Sequence, residues 1–181
     1  MDISNLKVAA LATNGFEEVE LTKPRKALED AGATVHLISP EAGSIKAWAT
    51  NDWGGSYDVD VVLSDAKAGD YDALLLPGGV INPDQLRVNG EALAFVDHFA
   101  RNDKPIAFIC HAGQLLISAG LVKGRKVTGY KSIRTDLRNA GGIVSNDDQV
   151  VVDGNYISSR NPDDIPAFNE KMLEVFAGIP A

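Results

Sequence analysis

Apolar stretches alternate with amphipathic stretches over nearly the whole chain, and this alternation constrains the fold more than any other feature. The short apolar runs are predicted to be strands, at residues 7–13, 34–39, 71–76, 105–110 and 126–129. The amphipathic stretches between them are predicted to be crossover helices, which join parallel strands and cover both faces of a sheet. The sequence therefore predicts an α/β fold with a mostly parallel central sheet.

The predicted helices begin and end at recognisable residues. They lie at residues 16–31, 91–101, 132–140 and 162–176, with a further short helix between Cys110 and Gly120. Pro24 is expected to kink or divide the first helix, and Gly32 is expected to end it.

Two segments depart from the simple alternation of strands and helices. Residues 41–70 contain two tryptophans and several short β-like pieces, the clearest at residues 59–63, and are predicted to form a side hairpin or another excursion from the sheet. Residues 150–158 are predicted to form a second hairpin, because an Asp-Gly pair at its centre favours a tight turn.

The composition limits the classes of function. The 181 residues are 45% hydrophobic, which suits a single globular domain over residues 1–181 with a sizeable core. A net charge of −8 disfavours binding to nucleic acids and to acidic membranes. No apolar run approaches the roughly 18 residues that span a bilayer, and the first residues show no signal-peptide pattern, so a cytoplasmic protein is expected.

The segment Ala-Phe-Ile-Cys-His-Ala-Gly at residues 107–113 carries the strongest chemical signal. It places Cys110, the single cysteine, at the end of a predicted strand with a helix directly behind it. Backbone N–H groups and the helix dipole at such a turn favour the thiolate, which is the reactive form. With His111 beside it, Cys110 is a candidate nucleophile, although a lone cysteine is more often an inert core residue.

Two glycines end the neighbouring predicted strand, directly after Pro77. At Gly79 a backbone N–H can approach a substrate oxygen, because no Cβ is in the way. Together with the backbone N–H of His111, it is a candidate oxyanion site. A plain turn after a strand is the alternative interpretation of the same residues.

Acidic side chains at two places are candidates for the same crevice. Glu17 and Glu20 lie three residues apart at the start of the first helix, so one carboxylate could point beyond the strand ends. Stabilisation by the helix dipole explains such acids equally well. Asp84 follows the glycine turn, where it lies near the crevice mouth, reaches a neighbouring subunit, or serves as a turn or helix-cap residue.

The remaining histidines do not indicate a metal centre. His36 in the second strand and His98 on a helix face are interpreted as structural. One cysteine and three scattered histidines give no metal-ligand spacing, so neither a metal nor a cofactor is predicted.

Three segments, taken in order, resemble the PfpI-type intracellular protease family. They are Asn-Gly-Phe-Glu-Glu-Val-Glu-Leu at residues 14–21 with Pro24, Asp-Ala-Leu-Leu-Leu-Pro-Gly-Gly at residues 72–79, and Ile-Cys-His-Ala-Gly at residues 109–113. That family includes bacterial general stress proteins and relatives of the Parkinsonism-associated protein deglycase, within the class I glutamine amidotransferase-like superfamily. Similar segments at residues 124–130 and 151–160 extend the resemblance over residues 6–176.

This resemblance implies a flavodoxin-like three-layer sandwich with the cysteine at a sharp strand-to-helix turn. Glu20 matches the glutamate that hydrogen-bonds the cysteine in the deglycase relatives, and Glu17 is the second choice. In the PfpI protease pattern, His111 matches the base of a Cys-His-acid triad.

The acid of that triad comes from an adjacent subunit in the family, so a homodimer or higher homo-oligomer is expected. Asp84 lies where this acid would be, but the sequence has Asp in place of Glu, and one extra residue precedes Pro83. These departures weaken the peptidase interpretation. Tyr130 stands where some deglycase relatives carry a histidine, which favours the PfpI and general-stress branch.

The sequence leaves two classes of function open. The leading hypothesis is a cytoplasmic stress protein whose Cys110 attacks small reactive carbonyls, glycated adducts or peptides, with His111 and Glu20 moving protons. The alternative is a non-enzymatic sensor or protective protein in which Cys110 is oxidised beside a protonated Glu20. Glutamine amidotransfer is disfavoured, because no histidine follows His111 in the chain.

Overall fold

A computed structural model describes residues 3–178 of the chain. Its strands are β1 (Lys7–Leu11), β2 (Thr34–Ser39), β3 (Ser44–Ala49), β4 (Asp52–Asp58), β5 (Val61–Val62), β6 (Ala73–Leu76), β7 (Ile106–Ile109), β8 (Lys126–Val127), β9 (Ile143–Val144), β10 (Val150–Asp153) and β11 (Tyr156–Ser159). Its α-helices are α1 (Glu18–Asp30), α2 (Ile81–Leu86), α3 (Gly90–Arg101), α4 (Gly113–Ser118), α5 (Arg134–Asn139) and α6 (Ile165–Ala177). Of the predicted domain over residues 1–181, residues 1–2 and 179–181 lie outside the described part.

Seven strands form the central sheet in the order β10-β11-β7-β6-β1-β2-β5. All neighbours pair in parallel except β10 and β11, which form the predicted antiparallel hairpin. Because β6 lies between β1 and β7, the carboxyl ends of these three strands meet at one edge. This edge collects the turns that carry the candidate residues.

Helices cover both faces of the sheet and bury a separate apolar core on each. One core packs α1 and α6 against the sheet, and the other packs α3, α4 and α5 against the opposite face. The four residues of β6 and the four of β7 are all buried, which explains their uninterrupted apolar sequence. The predicted flavodoxin-like three-layer sandwich is confirmed.

Some element boundaries differ from the sequence-based prediction. Helix α1 begins at Glu18 rather than residue 16, because Glu17 has an extended backbone, and it runs undivided through Pro24. The strand predicted at residues 126–129 is shortened to β8, which pairs with β9 in a separate sheet. The strand predicted at residues 59–63 is reduced to β5, at the edge of the central sheet.

Strands β3 and β4 form the predicted side hairpin, and it is fixed to the start of α1. The N–H of Trp48 donates to the carbonyl of Phe16 at 2.7 Å, and the N–H of Thr50 donates to Glu17 Oε1 at 3.2 Å. Glu18 Oε1 accepts bonds from the Gly55 N–H and the Tyr57 hydroxyl, both at 2.8 Å. These bonds place one side of the hairpin over the carboxyl edge of the sheet.

None of the helices in residues 3–178 is both long and apolar enough to cross a membrane.

Candidate active site

Cys110 occupies the turn between β7 and α4 in a strained backbone conformation. Its φ is +63°, a left-handed conformation that costs a residue with a Cβ about 1–3 kcal/mol. The residue directly follows the buried strand β7 and begins a short 3-10 turn that continues into α4. The side chain is only 7% exposed, yet it lines an open cleft. The strained turn therefore presents the sulfur to this cleft.

The neighbouring turn, after β6, approaches Cys110 so closely that it requires glycine. A Cβ added at Gly78 would lie 2.6 Å from Glu20 Oε2 and 2.8 Å from the Cβ of Cys110. At Gly79, with φ of +79°, it would lie 2.6 Å from the carbonyl oxygen of Gly15 and 2.7 Å from the nitrogen of Glu17. The two glycines thus allow three strand ends to pack together around the sulfur.

Glu20 is a completely buried acid beside the thiol. Its Oε2 accepts a hydrogen bond from the N–H of Gly78 at 2.9 Å, while its Oε1 has no hydrogen-bond partner among the described residues. Burial raises the pKa of Glu20 from its usual 4.5 to about 8, against the opposing effect of the nearby Cys110 side chain. The carboxyl group is therefore protonated at neutral pH.

Burial reverses the effect on the pKa of the Cys110 thiol that the sequence predicts for this turn. The sequence predicts a thiolate, but burial and the charge of Glu20 raise the pKa of Cys110 above its ordinary value. The N–H groups of His111 and Gly79 act in the opposite direction and lower this pKa. Helix α4 has only six residues, so its dipole does not outweigh the desolvation. Protonation of Glu20 removes the charge that repels a thiolate.

His111 lies directly beside the sulfur and contacts a residue that the sequence analysis missed. Its Nδ1 is 3.2 Å from Cys110 Sγ, and its Nε2 is 3.1 Å from the hydroxyl oxygen of Ser132. Its ring stacks on Tyr130 with the centroids 4.5 Å apart. Burial lowers the pKa of His111, which favours the neutral imidazole. No local signal marks Ser132, since it reaches His111 only through the fold.

Of the other two predicted site residues, one lines the cleft and the other does not. Glu17 is half-buried and lines the cleft, whereas Asp84 is exposed on α2 and is not among the residues that line it. An Asp84 carboxylate supplied by an adjacent subunit stays a prediction. His36 contacts the Tyr71 hydroxyl at 3.1 Å, and His98 packs edge-on against Phe99, so both contact structural neighbours.

The cleft in front of Cys110 has a volume of about 450 Å³. It is lined by residues from all three strand ends, the side hairpin and two later turns: Gly15, Glu17, Glu20, Trp48, Thr50, Gly79, Val80, Ile81, Cys110, His111, Tyr130 and Pro162. Trp48 and Pro162 were not among the predicted site residues. Within residues 3–178, no group of three or more His, Cys, Asp or Glu side chains is arranged to hold a metal ion.

This arrangement combines the groups that nucleophilic cysteine chemistry requires. A thiol, an imidazole and a protonated carboxyl group meet at one point, and two backbone N–H groups point at the sulfur. The structure therefore brings together Cys110, His111, Glu20 and Gly79, which the sequence had placed in three separate segments.

Comparison with known proteins identifies the family. The family model for the DJ-1/PfpI family matches residues 6–175. "Putative cysteine protease YraA" of Bacillus subtilis (strain 168) is 45% identical over 169 residues, covering 93% of this chain and 97% of that protein. "General stress protein 18" of the same organism is 42% identical over 167 residues, covering 92% and 95%.

The fold of a solved relative agrees with this assignment. The crystal structure of Drosophila melanogaster DJ-1beta superposes with a TM-score of 0.87 at 26% identity, covering 99% of this chain and 92% of that one. The chain belongs to the DJ-1/PfpI family.

Proposed function

We propose that this protein is a stress-response enzyme, cytoplasmic as the sequence analysis expects, that uses Cys110 to attack small reactive carbonyl compounds or their adducts on proteins. One observation carries the proposal: the sulfur lies at an open cleft, 3.2 Å from the imidazole of His111 and beside the protonated carboxyl group of Glu20. A buried structural cysteine needs neither neighbour. The name of the relative General stress protein 18 supports the assignment to a stress response.

The reaction with an α-oxoaldehyde can be written from these groups without an external oxidant or reductant. Cys110 Sγ bonds to the aldehyde carbon, and the thiol proton is transferred through His111 to the former carbonyl oxygen. The N–H groups of Gly79 and His111 stabilise the charge on that oxygen.

Proton transfer and hydrolysis complete the turnover. Neutral His111 removes the proton from the attacked carbon and returns it to the adjacent carbon, while the proton of the new hydroxyl group passes to the second carbonyl oxygen, which gives a thioester. Water then hydrolyses the thioester, releasing a hydroxy acid and regenerating the thiol. The net change is the addition of water to the substrate, so the oxidation of one carbon is balanced by the reduction of its neighbour.

Peptide hydrolysis would use the same groups on an amide and is the nearest alternative activity. The relative named as a cysteine protease supports it. Within residues 3–178, however, His111 Nε2 contacts Ser132 rather than a carboxylate, so a complete triad would require Asp84 from a second subunit. A homo-oligomer is therefore part of the peptidase alternative.

Turnover of methylglyoxal by the wild type and by Cys110→Ala tests the proposal. We expect the substitution to reduce kcat/KM by at least about 100-fold, since the covalent step is lost. A panel of unstructured peptides, assayed with the same two proteins, tests the peptidase alternative. Equal methylglyoxal rates for the two folded proteins would overturn the proposal.

Oxidative sensing is a second candidate, and the unpartnered Oε1 of Glu20 is the observation that favours it. Peroxide oxidises a thiolate to a sulfenate and then to a sulfinate, and each step reduces one peroxide to water. A protonated Glu20 can donate a hydrogen bond to the added oxygen. Selective addition of two oxygen atoms to Cys110, seen by intact mass after mild peroxide, together with no carbonyl turnover, would support sensing, whereas an unmodified Cys110 would contradict it.

A further inference from the structure

The charges that line the cleft are all acidic. Two carboxyl groups, of Glu17 and Glu20, line it beside Cys110 and His111, and no lysine or arginine is found among the described residues that line it. Glu20 is protonated at neutral pH because burial raises its pKa to about 8. Glu17, in contrast, is half-buried and accepts a hydrogen bond from the backbone N–H of Thr50, so it is the carboxyl group that carries the negative charge in the cleft.

Glu17 holds this negative charge at the wall of the cleft, where a substrate would bind. Its side chain is half-buried, and its Oε1 accepts a hydrogen bond from the N–H of Thr50 at 3.2 Å. Burial raises the pKa of Glu17 above its ordinary value, and this hydrogen bond opposes the shift because it favours the ionised form. The same hydrogen bond fixes the carboxylate against the tip of the side hairpin.

The remaining walls of the cleft are largely apolar. Trp48 from β3 lies on one side, and Val80, Ile81 and Tyr130 add further apolar surface. Val80 is 65% exposed, so part of this apolar surface is open to solvent before anything binds. Apolar walls with few polar groups favour a ligand that carries an apolar substituent.

We propose that the cleft selects uncharged carbonyl compounds with an apolar substituent and disfavours anionic ones, with Glu17 repelling anions and Trp48 contacting the apolar substituent. This inference rests on the function proposed above and specifies its substrate class. Keto acids and phosphorylated sugar derivatives would be poor substrates. Neutral α-oxoaldehydes with an aliphatic or aromatic group would be good ones.

Alkylation of the single cysteine tests the charge selectivity without requiring turnover. Iodoacetamide is neutral and iodoacetate is anionic, and in both reactions the S–C bond forms as iodide leaves and the thiol proton goes to solvent. Rates at Cys110 are divided by the rates of a neutral free thiol, N-acetylcysteinamide. We expect the normalised rate with iodoacetamide to exceed that with iodoacetate by about tenfold, or about 1.4 kcal/mol, because a like charge within several ångströms repels the anionic reagent.

Two matched variants separate the local charge from the net charge. Glu17→Gln should raise the iodoacetate rate by about fivefold and change the iodoacetamide rate by less than about twofold. Glu18→Gln makes the same change in net charge one residue away, but Glu18 binds Gly55 and Tyr57 and does not line the cleft. It should leave both rates within about twofold of the wild type.

The apolar part of the proposal is tested with N-benzyl iodoacetamide. Its labelling rate, relative to iodoacetamide, should fall by about fivefold in Trp48→Ala. Trp53→Phe is the control, since Trp53 belongs to the same hairpin, is 45% exposed and does not line the cleft, and phenylalanine keeps an aromatic ring beside Trp48. All variants are first checked for an unchanged circular dichroism spectrum and melting temperature.

The outcomes distinguish this inference from the proposed enzymatic function. Iodoacetate labelling as fast as iodoacetamide, after normalisation, would overturn the role of Glu17, and so would equal effects of Glu17→Gln and Glu18→Gln. An unchanged benzyl preference in Trp48→Ala would overturn the role of Trp48. Selective labelling in a protein that turns over no carbonyl would overturn only the enzymatic function.

Discussion

The turns that follow β6 and β7 lie side by side, and each contains a residue with positive φ. In the turn after β6 this residue is Gly79, at +79°, and in the turn after β7 it is Cys110, at +63°. Gly79 adopts this conformation without steric cost, because it has no Cβ. Cys110 has a Cβ and is strained. The first turn allows a close backbone approach, whereas the second presents a side chain.

The other two non-glycine residues with positive φ make the contrast clearer. Among the described residues, Thr50 and Asp103 share this conformation with Cys110, but both are exposed, whereas Cys110 is 7% exposed. Exposed turn residues can relax at little cost to their neighbours. A strained buried cysteine is held by the packing around it, and such positions concentrate at functional sites.

The largest effect on the free energy of unfolding is expected from the ionisation of Glu20, which lies between the two turns. A carboxyl group whose pKa rises from 4.5 to about 8 on folding stabilises the native state below pH 4.5. As pH rises, the unfolded chain ionises first, so this stabilisation is lost between pH 4.5 and about 8. We expect a loss of about 4 kcal/mol over this window, since one pKa unit corresponds to about 1.4 kcal/mol.

Urea unfolding from pH 4 to 9 measures this loss in the wild type and in Glu20→Gln. Glutamine retains an oxygen for the N–H of Gly78 and cannot ionise, so its free energy of unfolding should vary less with pH. The difference between the two curves isolates Glu20 from other titrating groups. Parallel curves would mean that Glu20 is ionised in the native state.

A smaller effect is expected from Gly79→Ala. The substitution combines a strained φ with contacts of 2.6 and 2.7 Å to backbone atoms, which cannot move aside easily. Strain contributes about 1 kcal/mol and overpacking about 2 kcal/mol, so the free energy of unfolding should fall by about 3 kcal/mol. Urea unfolding at one pH measures it.

Gly43→Ala is the matched control for this substitution. Gly43 has nearly the same φ, +82°, but no atom lies within 4 Å of the added Cβ. Gly43→Ala should therefore lower the free energy of unfolding only by the strain of an alanine at positive φ, about 1 kcal/mol. Equal losses at the two positions would show that the close approach of the turn after β6 does not constrain the sequence.

The contrast between the turns also shows what the sequence could and could not predict. Periodicity predicted the alternating elements and the glycine turn, because strand burial and Gly-Gly punctuation are local properties. The adjacency of Cys110 and His111 was visible for the same reason. The backbone strain at Cys110 could not be predicted from the sequence, since the φ of Cys110 depends on how the turn after β6 packs against this residue.

Long-range contacts in the site were predicted only through the family resemblance. It identified Glu20 in preference to Glu17, a distinction that helix spacing alone left open. Neither the local sequence patterns nor the family resemblance predicted Ser132 or Trp48, which reach the site from other parts of the chain. The pKa of Cys110 was predicted in the wrong direction, because the sequence shows a helix start but not the degree of burial.

The smallest expected change in the free energy of unfolding comes from the backbone strain at Cys110, and substitutions at this position test it directly. Replacement by alanine keeps a Cβ at φ of +63°, whereas glycine removes it. Cys110→Gly should therefore be more stable than Cys110→Ala by about 1 kcal/mol, measured by urea unfolding, although glycine elsewhere is less stable than alanine. Ala112→Gly is the control two residues away, where φ is −59°. Ala112→Gly should lower the free energy of unfolding by about 1 kcal/mol. Glycine is therefore expected to be the more stable residue at position 110 and alanine at position 112. If alanine were the more stable residue at both positions, the turn after β7 would be no more strained than the helix that follows it.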